Sequence, residues 1–144
     1  MRAEVKSAGR IMGRVPQGED LLGYLNQVCL EESIEVGQVS AIGAVTQAKI
    51  GFYDQAGQEY GFMDFNQTME IVSLMGNVSL KDGKPFVHAH VVLGDHEGRL
   101  FGGHLAEGAP VFACEFIINK FNSDQVFERG LDQGTGLLLW QKLP

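Results

Sequence analysis

All four histidines of this 144-residue chain fall in one stretch, VHAHVVLGDHEGRLFGGHL, at positions 88, 90, 96 and 104. Imidazole is the commonest protein ligand for transition metals and the side chain that titrates nearest neutral pH. His88 and His90 are separated by one residue in an alternating, β-branched segment. Side chains two apart on a strand share a face, so both rings can converge on one point. The following Asp95–Gly98 segment, Asp-His-Glu-Gly, reads as a turn. It folds Arg99–Leu105 back beside the first strand and carries His104 to within a few residues of level with the pair. Three imidazoles from two adjacent strands make a set that suits Zn²⁺ with an open fourth position; nickel, copper and iron are chemically compatible as well. Gly102 and Gly103 remove side-chain bulk just before His104, which leaves room for a close approach to the backbone. His96 sits in the turn and reads as surface. Two solvated histidines on an exposed strand would show the same HxH spacing; His104 behind its Gly-Gly is what favours the metal.

Carboxylates supply the other candidates. Glu70 lies in the apolar run MEIVSL and Glu115 in CEFII. Glutamate is almost never fully buried without a partner. Each therefore faces solvent on an amphipathic strand or sits satisfied in a polar pocket. In a pocket, it could hydrogen-bond a metal-bound imidazole or act as general base on a bound water. Other chemistries lack their motifs: the chain has no GxSxG, no phosphate loop and no GxGxxG opening a helix. Cys29 falls inside a predicted helix and is a poor nucleophile candidate.

The elements that must position these groups are mostly strands. RIMGRV (Arg10–Val15) alternates. From about Asp20 to Ser33 the apolar residues Leu21, Leu22, Leu25, Val28, Cys29 and Ile34 recur at helical spacing, with Asp20 as the cap. After Gly37 the chain turns β-branched and glycine-punctuated. Short strands follow near Gln38–Asp54 and Tyr60–Met63, then a long one over Thr68–Leu80 with Gly76 as a candidate bulge. Lys81-Asp82-Gly83-Lys84 carries a hairpin signal. PFVHAHVVLGD, RLFGGHL, the continuous apolar run Val111–Phe121 and finally GLLLWQKL complete the strands. The expectation is an α+β fold over residues 1–144, a single domain with a mostly antiparallel sheet of about seven or eight strands and one main helix.

Charge and composition narrow the partners. The net charge is −7. Duplex binding relies on Lys and Arg neutralising phosphates, so nucleic acid is disfavoured and cations, metal ions included, are favoured. Cys29 and Cys114 sit in apolar segments outside any CxxC and read as buried thiols of a reducing compartment. MRAEVKSAGR has no apolar signal-peptide core and no stretch is long enough to span a bilayer, so a cytoplasmic location without membrane contact is expected. The runs Val111–Ile118 and Leu137–Trp140 exceed what one small sheet's inner face can bury, which calls for a second covered face supplied by neighbouring subunits.

The order of these residues resembles the PPC (plants and prokaryotes conserved) domain, found alone in prokaryotes and C-terminal to the AT-hook in plant AT-hook nuclear-localised proteins. The likeness covers about residues 8–121. It is carried by the segment from Gly13 to Asp54, by MEIVSLMGNVSL, by FVHAHVVLGDHEGRLFGGHL and by VFACEFII. It implies a large antiparallel sheet, a homotrimer, and a histidine cluster that holds a metal, usually zinc, in some prokaryotic members. By position, His88, His90 and His104 match the family's three histidines, and Glu70 and Glu115 its strand glutamates. The plant hexapeptide Gly-Arg-Phe-Glu-Ile-Leu is here Gln67–Val72, with only Glu70 and Ile71 retained. The AT-hook core Arg-Gly-Arg-Pro is absent, and with it the arginines that enter a minor groove. The functions consistent with these readings are a trimeric binder of a divalent metal or small ligand, a metal-dependent hydrolase or lyase on a small polar substrate, and a DNA-associated regulator.

Overall fold

Asp20 starts the helix predicted from the sequence and ties it down. In the computed structural model, which describes residues 1–141, α1 spans Leu21–Glu31 with Asp20 at its N-cap. One carboxylate oxygen accepts from Gly23 N at 2.8 Å; the other accepts from Gly108 N and Ala109 N, both at 2.8 Å. The cap that satisfies the first turn thus also anchors a loop 88 residues downstream. Leu21, Leu22, Leu25 and Cys29, at helical spacing, form the buried stripe.

Ten strands make up one sheet: β1 (Lys6–Val15), β2 (Gly37–Val45), β3 (Ala48–Asp54), β4 (Glu59–Phe65), β5 (Met69–Lys81), β6 (Lys84–Gly94), β7 (Leu100–Leu105), β8 (Val111–Asn122), β9 (Glu128–Leu131) and β10 (Leu138–Gln141). Eight run in the order β1-β8-β2-β5-β6-β7-β3-β4, all antiparallel. The β9–β10 hairpin joins β5 through a single parallel bridge, Leu80 to Glu128. This is the expected α+β fold with a mostly antiparallel sheet. The unanticipated strand is β9, four residues long.

One face of the sheet carries the core. Val39, Leu74, Val78, Val87, Ala89, Val91, Phe116 and Ile118 are buried there with the stripe of α1. The opposite, outer face has no helix among the described residues. It presents Met12, Ile42 and Met75, which are 73%, 60% and 60% exposed. Val111–Phe121 was expected to be covered on both faces; within the single chain only one is, since Cys114, Phe116 and Ile118 are buried while Phe112 is exposed. Gly76 is not a bulge. The extra residue is Val72 of β5: it has no partner on β6 between Ile71 and Ser73, and on the other side Ile42 alone faces Val72 and Ser73, while β2 stays in unbroken register with β8 there. Gly76 serves close approach: a Cβ there would stand 2.4 Å from the His88 carbonyl oxygen.

Candidate metal centre

The β6–β7 reversal is fixed by Asp95. Its carboxylate accepts from Glu97 N and Arg99 N, each at 2.9 Å, and from Arg99 Nε at 2.7 Å. Burial pushes the Asp95 carboxyl upward, but the hydrogen bonds from Arg99 and Glu97 prevail and hold it below the usual carboxylate range. From this turn the register runs without a skip through Gly94–Leu100 to His90–His104. His96 is in the turn, its side chain largely exposed.

Alternation puts His88, His90 and His104 on the outer face. Their ring centroids lie 5.4 Å (His88–His90), 5.0 Å (His88–His104) and 5.7 Å (His90–His104) apart. One nitrogen from each ring can be chosen so that all three lie within 4.8 Å of one another. In a tetrahedral zinc centre with bonds near 2.0–2.1 Å, donors sit roughly 3.3 Å apart, so small ring rotations close the set. His104 Nδ1 is buried and has no hydrogen-bond partner among the described residues, a state that costs free energy unless a ligand supplies the missing contact. Burial, then the charges of Arg129, His104 and His90, push the His88 pKa down to about 4; His104 is lowered by burial, His90 and Arg129. Both are therefore neutral at pH 7, the form that binds metal. An all-imidazole, uncharged donor set fits a divalent transition metal and does not fit calcium or magnesium.

Close backbone approach builds the rest of the site. Gly103 lies so near β3 that a Cβ would stand 2.6 Å from the Gly51 carbonyl oxygen. Gly51 in turn is paired with His104. With no side chain there, Tyr60 reaches across, its ring 5.1 Å from that of His104. A cavity of about 350 Å³ opens beside His88 and His104, lined further by Tyr53, Tyr60, Phe86 and Arg129. The β9–β10 hairpin closes one side: Tyr53 donates its hydroxyl to Thr135 O at 2.7 Å, and Gln58 Nε2 donates to Gly134 O at 3.4 Å. Arg129, Tyr60 and Phe86 went unnoticed in the sequence. The signal for Arg129 was slight, a lone basic residue in the short alternating run FERGL.

Glu70 and Glu115 are exposed on the outer face. They line a separate recess with Arg14, Ile42 and Val72 and are not among the residues around the histidine cavity. The structure thus brings the three histidines together and leaves both glutamates apart from them within the chain. Cys29 and Cys114 are buried and free. Burial pushes their thiols up to about 12 and about 11, with Glu115 adding to the rise at Cys114, so neither supplies a thiolate at neutral pH. No helix among the described residues is long and apolar enough to cross a membrane.

Known proteins share this fold. A metal-containing protein from Archaeoglobus fulgidus superposes with a TM-score of 0.93 at 41% identity, covering 98% of this chain and 99% of its own. A plant- and prokaryote-conserved (PPC) protein from Pyrococcus horikoshii gives 0.92 at 40% identity, over 100% and 99%. A protein from Ralstonia eutropha named as a candidate DNA-binding protein gives 0.79 at 26% identity, over 92% and 90%. Among curated sequences, the bifunctional protein GlmU of a Synechococcus strain is 30% identical over 126 residues. The chain spans 19% of that relative's length. The Plants and Prokaryotes Conserved domain, abbreviated PCC or PPC, matches residues 2–122, and the chain belongs to that family.

Proposed function

We propose that this PPC-domain protein is a homotrimer that binds a divalent transition metal, zinc, through His88, His90 and His104, with one coordination position left for a small ligand. The observation that carries the reading is the convergence of three imidazole nitrogens within 4.8 Å of one another, one ring having a buried nitrogen without a partner. The metal-containing protein of A. fulgidus, at 41% identity, supports it. A metal held there would act as a Lewis acid on whatever took the open position. The chain's part is to keep His88 and His104 neutral by burial, to fix His104 through its pairing with Gly51, and to wall the position with Tyr60 and the β9–β10 hairpin.

The trimer is supported by the outer face. Met12 on β1, Ile42 on β2 and Met75 on β5 line one recess that also takes in Ile117 of the intervening β8, and all three are well over half exposed; an apolar patch of this kind marks an association surface. His90 is paired with Met75, so association through the patch would border the metal centre.

Equilibrium dialysis with zinc tests the metal. One zinc per chain is expected, lost in the His88→Ala/His90→Ala/His104→Ala variant. Stoichiometry near zero, or unaltered by the triple substitution, rules it out. A second reading, a metal-dependent hydrolase or lyase, is favoured by the concave cavity at His88 and His104. Glu70 and Glu115, the bases named for it, line another recess, so a base would have to come from the cavity wall or from another subunit.

A further inference from the structure

Arg129 carries a charge that no carboxylate among the described residues balances. It is half-buried on β9. Its Nε donates to Ser79 Oγ at 2.9 Å, one terminal nitrogen donates to Asn77 Oδ1 at 2.6 Å, and the other to Leu138 O at 3.0 Å. All three acceptors are neutral. The guanidinium lies over the rings of Phe86 and Trp140, 5.7 and 5.9 Å from their centroids. Among the described residues it forms no ion pair with a carboxylate. A guanidinium has five N–H donors, so two, one on each terminal nitrogen, have no partner among those residues.

The location adds weight to the count. Arg129 lines the same cavity as His88 and His104. The donors of the metal centre are uncharged imidazoles, so a bound dication beside Arg129 would leave the site strongly positive. Lys81 on the cavity wall adds to the excess. Glu59 also lines the cavity but is exposed and does not pair with Arg129. A site built this way is electrostatically incomplete until an anion enters. The free donors lie in the guanidinium plane, and that planar fork matches a carboxylate. The remaining walls, Tyr60, Phe86 and Leu138, are largely apolar, and the volume of about 350 Å³ is at the small end of ligand cavities.

We propose that the cavity binds a small organic carboxylate, its carboxylate held between Arg129 and the open metal position and its apolar body against Tyr60, Phe86 and Leu138. The inference rests on the metal reading above and names the class of ligand that completes it.

Calorimetric titration of benzoate into zinc-loaded protein, with zinc content measured on the same sample, tests it. Benzamide, the neutral molecule of the same shape, is the control on the unaltered protein. Benzoate should bind at least tenfold more tightly than benzamide. Arg129→Lys, which keeps the charge and removes the planar fork, should weaken benzoate about tenfold at unchanged zinc content. One zinc per chain with no preference for benzoate, or equal benzoate binding by a folded Arg129→Lys protein, overturns the carboxylate proposal alone. Failure to take up zinc overturns the metal reading and this proposal with it.

Discussion

His90 and His104 are direct cross-strand partners, with ring centroids 5.7 Å apart on the outer face. Each lies four positions from the last pair before the turn, Gly94 and Leu100, so an uninterrupted register is what aligns them. Replacing His104 by Ala should abolish stoichiometric zinc binding, and replacing His96, which the same turn leaves in solvent, should change nothing. Zinc content by atomic emission after dialysis distinguishes the two. Equal retention by both variants would contradict the three-histidine centre.

Acidity should act on the metal-free fold in a defined window. The His88 pKa is pushed down to about 4 from an ordinary 6.5, so the unfolded chain takes up the proton first. The His88 contribution to stability is then constant above about pH 6.5, declines as pH falls toward about 4, and levels off below that. The lowered His104 works in the same direction. Imidazole NMR should show the His88 ring neutral through pH 5.5. A midpoint near 6.5 would refute the assignment.

Gly103→Val should be costly although the position is not in the main core. Its Cβ would stand 2.6 Å from the Gly51 carbonyl oxygen, so β3 must move away from β7. Overpacking of this kind costs roughly 1–3 kcal/mol, and the shift should also loosen Tyr60 from His104. Denaturant unfolding and zinc affinity should both fall. Wild-type values for the pair would show that β3 yields freely.

Charge placed on the outer face should prevent association and spare the fold. Met75 is 60% exposed and Ile42 equally so. The variant Ile42→Glu/Met75→Glu should sediment as a monomer at micromolar concentration, while the wild-type chain sediments as a trimer. A monomeric wild-type protein sinks the trimer; a trimeric double variant moves the interface elsewhere.

Duplex DNA should not be retained. A net charge of −7 opposes the phosphate neutralisation on which affinity depends. A gel shift at low salt and micromolar protein should show free DNA. A salt-sensitive shifted band would restore the DNA-associated reading.

The parts legible in the sequence are those in which local pattern and tertiary setting agree. The α1 stripe followed from 3.6-residue spacing and an aspartate cap, and Asp20 does cap the helix. The histidine face followed from strand alternation around a turn containing Asp95 and Gly98, whereas the direct pairing of His90 with His104 is set by the tertiary register of β6 and β7. β9 was missed because four residues joined to the sheet by one bridge leave almost no periodic trace, and Arg129 was missed with it. The bulge was sought at Gly76, but it lies in β5 at Val72, where that strand has one residue more than β2 and β6 place opposite it, and valine is not a residue that signals one. Glu70 was the more readable case. Between Met69 and Ile71, both buried, alternation already directed it outward.

Because α1 covers only one side of the sheet, a single layer of backbone separates what keeps the chain folded from what it offers to its surroundings. Leu25 and Ile118, fully enclosed, answer to packing alone. Tyr60, Phe86 and Arg129, across that layer, line the cavity. Tyr60 and Phe86 can therefore be exchanged with the frame behind them left the same, whereas Arg129 also straps β9 and β10 to β5 through Ser79, Asn77 and Leu138.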